Sequence, residues 1–167
     1  MRPLIMYCSR TGNTAKVVAA MARMLDAEML DIGALHDEPD AVQRLDRALA
    51  GRPLVGLASG IYWARPDKFL FWAANRVDAS CPVFAVCTSS MRGGFLRSTF
   101  WFLFNRHLKR LGLRVVGRWH CPGHDRSTDP LFRSLQLSKG RPDARDLGHA
   151  EEFARALLPL FPAGWEA

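Results

Sequence analysis

Residues 79–124 contain no aspartate and no glutamate, although the 167-residue chain carries 16 acidic residues in all. The same stretch holds seven cations, Arg92, Arg97, Arg106, Lys109, Arg110, Arg114 and Arg118, and the rest of the chain is balanced, so this segment accounts for the net charge of +7. A field of one sign argues against basic partners and for acidic or anionic ones. No apolar stretch is long enough to span a bilayer, and no apolar leader segment opens the chain, which leads to the expectation of a cytoplasmic protein. The four cysteines, Cys8, Cys81, Cys87 and Cys121, form no Cys-x-x-Cys pair and no zinc spacing. That pattern suits reduced thiols in a cytoplasm. No repeat, low-complexity tract or interdomain linker interrupts the chain, so 1–167 reads as a single domain, and a hydrophobic content of 49% is ample for its core.

The most informative residues lie near the N-terminus. The apolar run Leu4, Ile5, Met6, Tyr7, Cys8 leads directly into Ser9-Arg10-Thr11-Gly12-Asn13-Thr14, which opens a helical pattern through Leu25. A strand, a hydroxyl-rich turn and a helix start make an anion cradle, because the first N–H groups of a helix lack internal partners and sit at the positive end of its dipole. Gly12 lets the chain approach a ligand closely, while Ser9, Thr11, Asn13 and Thr14 supply side-chain donors. The loop has neither the Gly-Lys-Ser/Thr ending of a P-loop nor the three spaced glycines of a dinucleotide fingerprint. What remains is a site for one terminal phosphate without a metal.

This hexapeptide resembles the phosphate loop of the flavodoxin family, which reads Ser/Thr-x-Thr-Gly-Asn-Thr and follows the first strand. The resemblance implies an FMN cofactor with its phosphate held by residues 9–14, Arg10 included. Short apolar runs alternating with helical patterns independently argue for a parallel sheet with helices on both faces. The expected strands are 4–8, 28–31, 54–59, 83–88 and 114–119, and the expected helices are 14–25, 41–49, 67–74, 95–111 and 144–158. Five strands and five helices in strict alternation imply an α/β fold of three layers, a flavodoxin-like doubly wound five-stranded parallel sheet in the order 2-1-3-4-5. Ligands of such sheets bind beyond the carboxyl ends of the strands.

Two further loops leave that edge. One carries Ser59, Gly60, Ile61, Tyr62 and Trp63, the other Thr88, Ser89, Ser90, Met91, Arg92, Gly93 and Gly94. They match the two family loops that hold the isoalloxazine ring. By that resemblance Gly60 presents a peptide group to flavin N5 and Tyr62 or Trp63 stacks on the ring, while Arg65 and Arg92 favour an anionic reduced flavin. The second loop contains no aromatic residue, a departure from many flavodoxins that leaves one ring face open to hydride or substrate.

The connection between Trp119 and Ala144 is long for a compact domain, and such loops are more often functional than idle. Its Cys121-Pro122-Gly123-His124-Asp125, followed by Lys139-Gly140-Arg141-Pro142 and Asp146-Leu147, resembles a subgroup of flavodoxin-family proteins, mostly uncharacterised electron carriers or reductases. His120, Cys121 and His124 also raise the question of a metal, although no partner cluster accompanies them and no metal is expected. On the 95–111 helix, Leu96, Phe100, Leu103, Phe104, His107 and Leu111 form one face, and Phe95 and Phe102 fall on the other among Arg106, Lys109 and Arg110. Exposed aromatics in a basic field suggest a docking surface for a redox partner with an acidic face, an anionic membrane surface or a second protomer in a homodimer. Nucleic acid is not expected, since no recognised module accompanies the basic patch. Two functions stay open. One is electron transfer between protein partners. The other is an FMN-dependent oxidoreductase, either an NAD(P)H/quinone reductase or a protoporphyrinogen-oxidase-like enzyme.

Overall fold

The computed structural model describes residues 1–62, 65–90, 94–124 and 138–160, with the side chains of 94–97 excepted. Trp63, Arg92, Gly93, the side chains of Phe95, Leu96 and Arg97, and the stretch 125–137 therefore lie outside the described residues. The strands are β1 (Leu4–Cys8), β2 (Glu28–Asp31), β3 (Val55–Gly60), β4 (Val83–Ser89) and β5 (Val115–Pro122). The helices are α1 (Asn13–Leu25), α2 (Ile32–Leu35), α3 (Ala41–Leu49), α4 (Lys68–Ala74), α5 (Gly94–Arg110) and α6 (Ala144–Leu157). All strand pairs are parallel and their order is β2-β1-β3-β4-β5, as the alternating pattern predicts.

Central strands buried on both faces need continuous apolar sequence. Accordingly β3 and β4 are buried throughout, and β1 is buried except at Tyr7. Side chains alternate between two cores. Leu4, Met6 and Cys8 join Leu57, Ala85, Cys87, Leu45, Leu70, Phe100 and Phe104 beneath α2 to α5. Ile5, Ala58, Phe84 and Val86 join Val17, Met21, Leu25, Ala150 and Ala154 beneath α1 and α6. The three-layer arrangement follows from this division.

Strict alternation of strand and helix is not what the structure shows, because α2 intervenes between β2 and α3. Its cause is local: the Asp31 carboxylate accepts from the N–H groups of Gly33 at 3.0 Å and Ala34 at 3.3 Å, capping one extra turn. The buried ridge of α5 is also displaced from the expected face. Phe100, Phe104 and Leu108, spaced by four, are fully buried, whereas Leu103, His107 and Leu111 are half-buried. Phe102 does point outward, at 63% exposure. Finally, β5 extends beyond the expected residue 119 to Pro122, pairing Thr88 with Cys121 and Ser89 with Pro122. Proline is tolerated there because β5 is an edge strand.

Candidate functional site

The carboxyl ends of β1, β3 and β4 bring the three expected loops to one edge, since the register sets Cys8 beside Ser59 and Gly60 beside Thr88. Gly12 is the N-cap of α1, with φ of +82° and, as a glycine, no side chain of its own to cap the helix. That left-handed conformation is cheap only for glycine, and no atom lies within 4 Å of where a Cβ would sit. Ser9 turns back toward the first turn, its Oγ accepting from the Ala15 N–H at 3.1 Å. The loop thus offers first-turn N–H groups beside open space, the geometry that takes a phosphate.

Two of the expected phosphate-loop residues prove to be largely buried. Asn13 donates through Nδ2 to Thr11 Oγ1 at 3.1 Å and to the His124 carbonyl at 2.8 Å. Thr14 is 1% exposed and its hydroxyl pairs with that of Thr88 at 2.9 Å, joining the phosphate loop to the end of β4. Their side chains hold the loop in shape, and Thr11 and Ser9 remain half-buried at its surface.

Arg10 belongs to a separate cluster. Its guanidinium binds Asp67 through Nε at 3.0 Å and Nη2 at 2.8 Å and lies 4.3 Å from the centroid of the Tyr62 ring. The Arg10 N–H donates to the Tyr62 hydroxyl at 3.1 Å. One face of Tyr62 is therefore occupied by Arg10, and burial raises the pKa of its phenol, keeping it neutral. Gly60 is required for this folding back, as a Cβ there would approach the Tyr62 Oη to 2.6 Å. Asp67, not singled out in the sequence, is 3% exposed, caps α4 by accepting from Phe69 N–H, and receives Arg10. Its own N–H donates to Ser59 Oγ at 3.1 Å, and the Ser59 hydroxyl donates to the Gly60 carbonyl at 2.7 Å.

Ile61 continues the connection between loops, donating its N–H to the Thr88 carbonyl at 2.8 Å. In the other loop Ser89 Oγ pairs with His120 Nε2 at 2.9 Å, the Ser89 carbonyl accepts from Gly123 N–H at 2.8 Å, and the Ser90 carbonyl accepts from the Ser138 hydroxyl at 2.7 Å. Gly94 is the first residue of α5. Trp63 and Gly93 fall outside the described residues. The end of β5 was missed as part of the site, yet Gly123 and His124 pack directly on Asn13. The glycine in the 120–144 connection was the available signal.

Burial pushes the thiols of Cys8 and Cys121 up to about 12, so neither supplies a thiolate at neutral pH. Among the described residues no three His, Cys, Asp or Glu side chains are grouped to hold a metal, and no helix is long and apolar enough to cross a membrane. The arrangement offers neutral donors for an anion next to a pair of loops that leave the same edge of the sheet.

No protein-family model and no curated protein sequence matches the chain. Solved structures do. The chain is similar to an NADH:FMN oxidoreductase in its apo form, at 13% identity and a TM-score of 0.66, covering 98% of this chain and 91% of that one. It is similar to oxidised flavodoxin 2 from Bacillus cereus, at 16% identity and 0.63, covering 96% and 100%. A flavodoxin from the domain Archaea aligns at 13% identity and 0.60 over 96% and 98%. With its strand order, the strand–turn–helix geometry at 9–14 and these neighbours, the chain has the flavodoxin-like fold.

Proposed function

We propose that this protein binds FMN at the carboxyl edge of its sheet and works as an electron-transfer flavoprotein. The observation that carries the reading is the glycine start of α1 at Gly12, with open space where a Cβ would sit, placed by the strand order beside the Ser59–Gly60 and Thr88–Ser89 peptides. The N–H groups at the start of α1 and the hydroxyls of Ser9 and Thr11 would hold the phosphate, with Asn13 and Thr14 fixing the loop behind them. The Gly60–Tyr62 and Thr88–Ser90 segments would hold the ring, and Trp63 and Gly93 are assigned to the same task by their place in the loops. When bound, the flavin supplies the redox chemistry; the protein supplies orientation and electrostatics. Arg65, beside the ring loop, favours negative charge on the ligand. Four free cysteines suit a reducing compartment, and the cytoplasm is the proposed place of action.

The test compares FMN with riboflavin on the apoprotein by fluorescence quenching. FMN should bind at least about tenfold more tightly, the difference being the phosphate's share of the affinity. Equal affinities would refute the assignment of the loop. Anaerobic mixing of the loaded protein with NADH and NADPH then separates a carrier from a reductase: slow reduction by both supports the carrier.

A further inference from the structure

The surface between α4 and α5 has features that the flavin site does not explain. A groove of about 530 Å³ runs there, with Arg65, Lys68, Arg106 and Arg110 among its walls and Phe71 and Leu103 as its apolar lining. Eight other arginines, Arg2, Arg10, Arg23, Arg44, Arg47, Arg52, Arg76 and Arg141, each hold a carboxylate of this chain. Among the described residues none of the four groove cations does. His107, whose ring stands edge-on to Phe71 at 4.9 Å, adds no charge at neutral pH, because burial and Arg110 lower its pKa. Phe102, exposed at 63%, lies one helical turn before Arg106, outside the groove's lining.

Each possible occupant must account for all of these features. A small inorganic anion would use the cations and leave Phe71, Leu103 and Phe102 unexplained. A flat anionic bilayer would meet the projecting Phe102 but would not reach Phe71 and Leu103, which are recessed and half-buried. A second copy of this chain has few carboxylates to offer, since most of the acids in the described residues are held by its own arginines. An aromatic and several arginines around an apolar depression is the composition of a protein docking site.

We propose that this groove docks an acidic segment of a partner protein, which places one apolar side chain against Phe71 and Leu103 while its carboxylates pair with Arg65, Lys68, Arg106 and Arg110. The docking goes beyond the flavin reading and does not depend on it: no groove residue belongs to the 9–14 loop, and Arg65, which alone borders the ring loop, is left unchanged in the test.

The test uses a fluorescently labelled synthetic peptide of Asp and Glu with one central Phe, read by anisotropy against the full chain. Wild-type protein should bind it, and binding should weaken as salt rises. The Arg106→Glu/Arg110→Glu variant should lose roughly tenfold or more in affinity. Arg114→Glu/Arg118→Glu, an equal change of charge on exposed positions at and beside β5, should lose much less. Replacing the peptide's Phe with Ser should weaken wild-type binding, and Leu103→Ala should reduce that difference. Thermal melts of every variant check folding, which reversal of the exposed Arg106 and Arg110 leaves intact. Equal losses for the two double reversals would overturn the proposal, leaving only a diffuse basic field. So would equal binding of the Phe and Ser peptides. Wild-type co-sedimentation with phosphatidylserine vesicles in the absence of peptide binding would overturn it in favour of a membrane surface.

Discussion

At Gly123 a single missing methyl group links the end of β5 to the start of α1. A Cβ there would lie 2.9 Å from Asn13 Nδ2 and 3.1 Å from Asn13 Cβ, too close for either residue to keep its place. Asn13 cannot swing away freely, because its amide already bonds the His124 carbonyl and the Thr11 hydroxyl. Gly123→Ala should therefore displace the first residue of α1, costing about 1–3 kcal/mol in stability, as overpacking of a filled site does. If the loop holds the flavin phosphate, FMN affinity should fall several-fold more than riboflavin affinity. Titrating both ligands into the folded variant checks this, and a parallel loss would place the phosphate away from Asn13.

At the level of elements, two glycines report on opposite kinds of packing. Gly56 sits in β3 under the ring of Phe84, and an added Cβ would come within 2.5 Å of Phe84 Cζ and 2.9 Å of Ile5 Cγ2. Both neighbours are fully buried and belong to the core beneath α1 and α6, so neither can yield cheaply. Gly56→Ala should destabilise the fold by about 1–3 kcal/mol or more. Gly148, inside α6, has open space around it. There the substitution to Ala removes only the conformational cost of a helical glycine, and stability should rise by up to about 1 kcal/mol. For a domain of this size that is about 2–4 °C in melting temperature. Calorimetry on the two variants should give shifts of opposite sign; a stabilised Gly56→Ala would mean that Phe84 has a second rotamer well to occupy.

The whole molecule acts through its charge. The net charge of +7 comes from residues 79–124, while most arginines in the rest of the described residues hold a carboxylate of the chain. FMN carries a doubly charged phosphate and riboflavin does not, so if the protein binds FMN as proposed, only FMN should be steered toward it. Stopped-flow association with the apoprotein should therefore slow as ionic strength rises for FMN and stay nearly constant for riboflavin. Salt-independent FMN association would show that the field does not reach the phosphate loop. The same field favours acidic partners over basic ones.

What the sequence determined by itself was local and repetitive. The hexapeptide 9–14 after an apolar run specified a strand, a glycine turn and a helix start, and the structure has β1, Gly12 and α1 in those places. Alternating periodicities located five strands, and their alternation with helices led to the order β2-β1-β3-β4-β5. Such features are readable because turn chemistry and side-chain period act over a few residues. The tertiary structure decided the rest. Asn13 meets His124 across 111 residues, Thr14 meets Thr88 across 74, and Arg10 meets Asp67 across 57. The length of β5, the role of Asp67 and the basic groove between α4 and α5 also depend on which elements become neighbours. No period in the chain encodes such meetings, because they arise only when the sheet sets distant strand ends side by side.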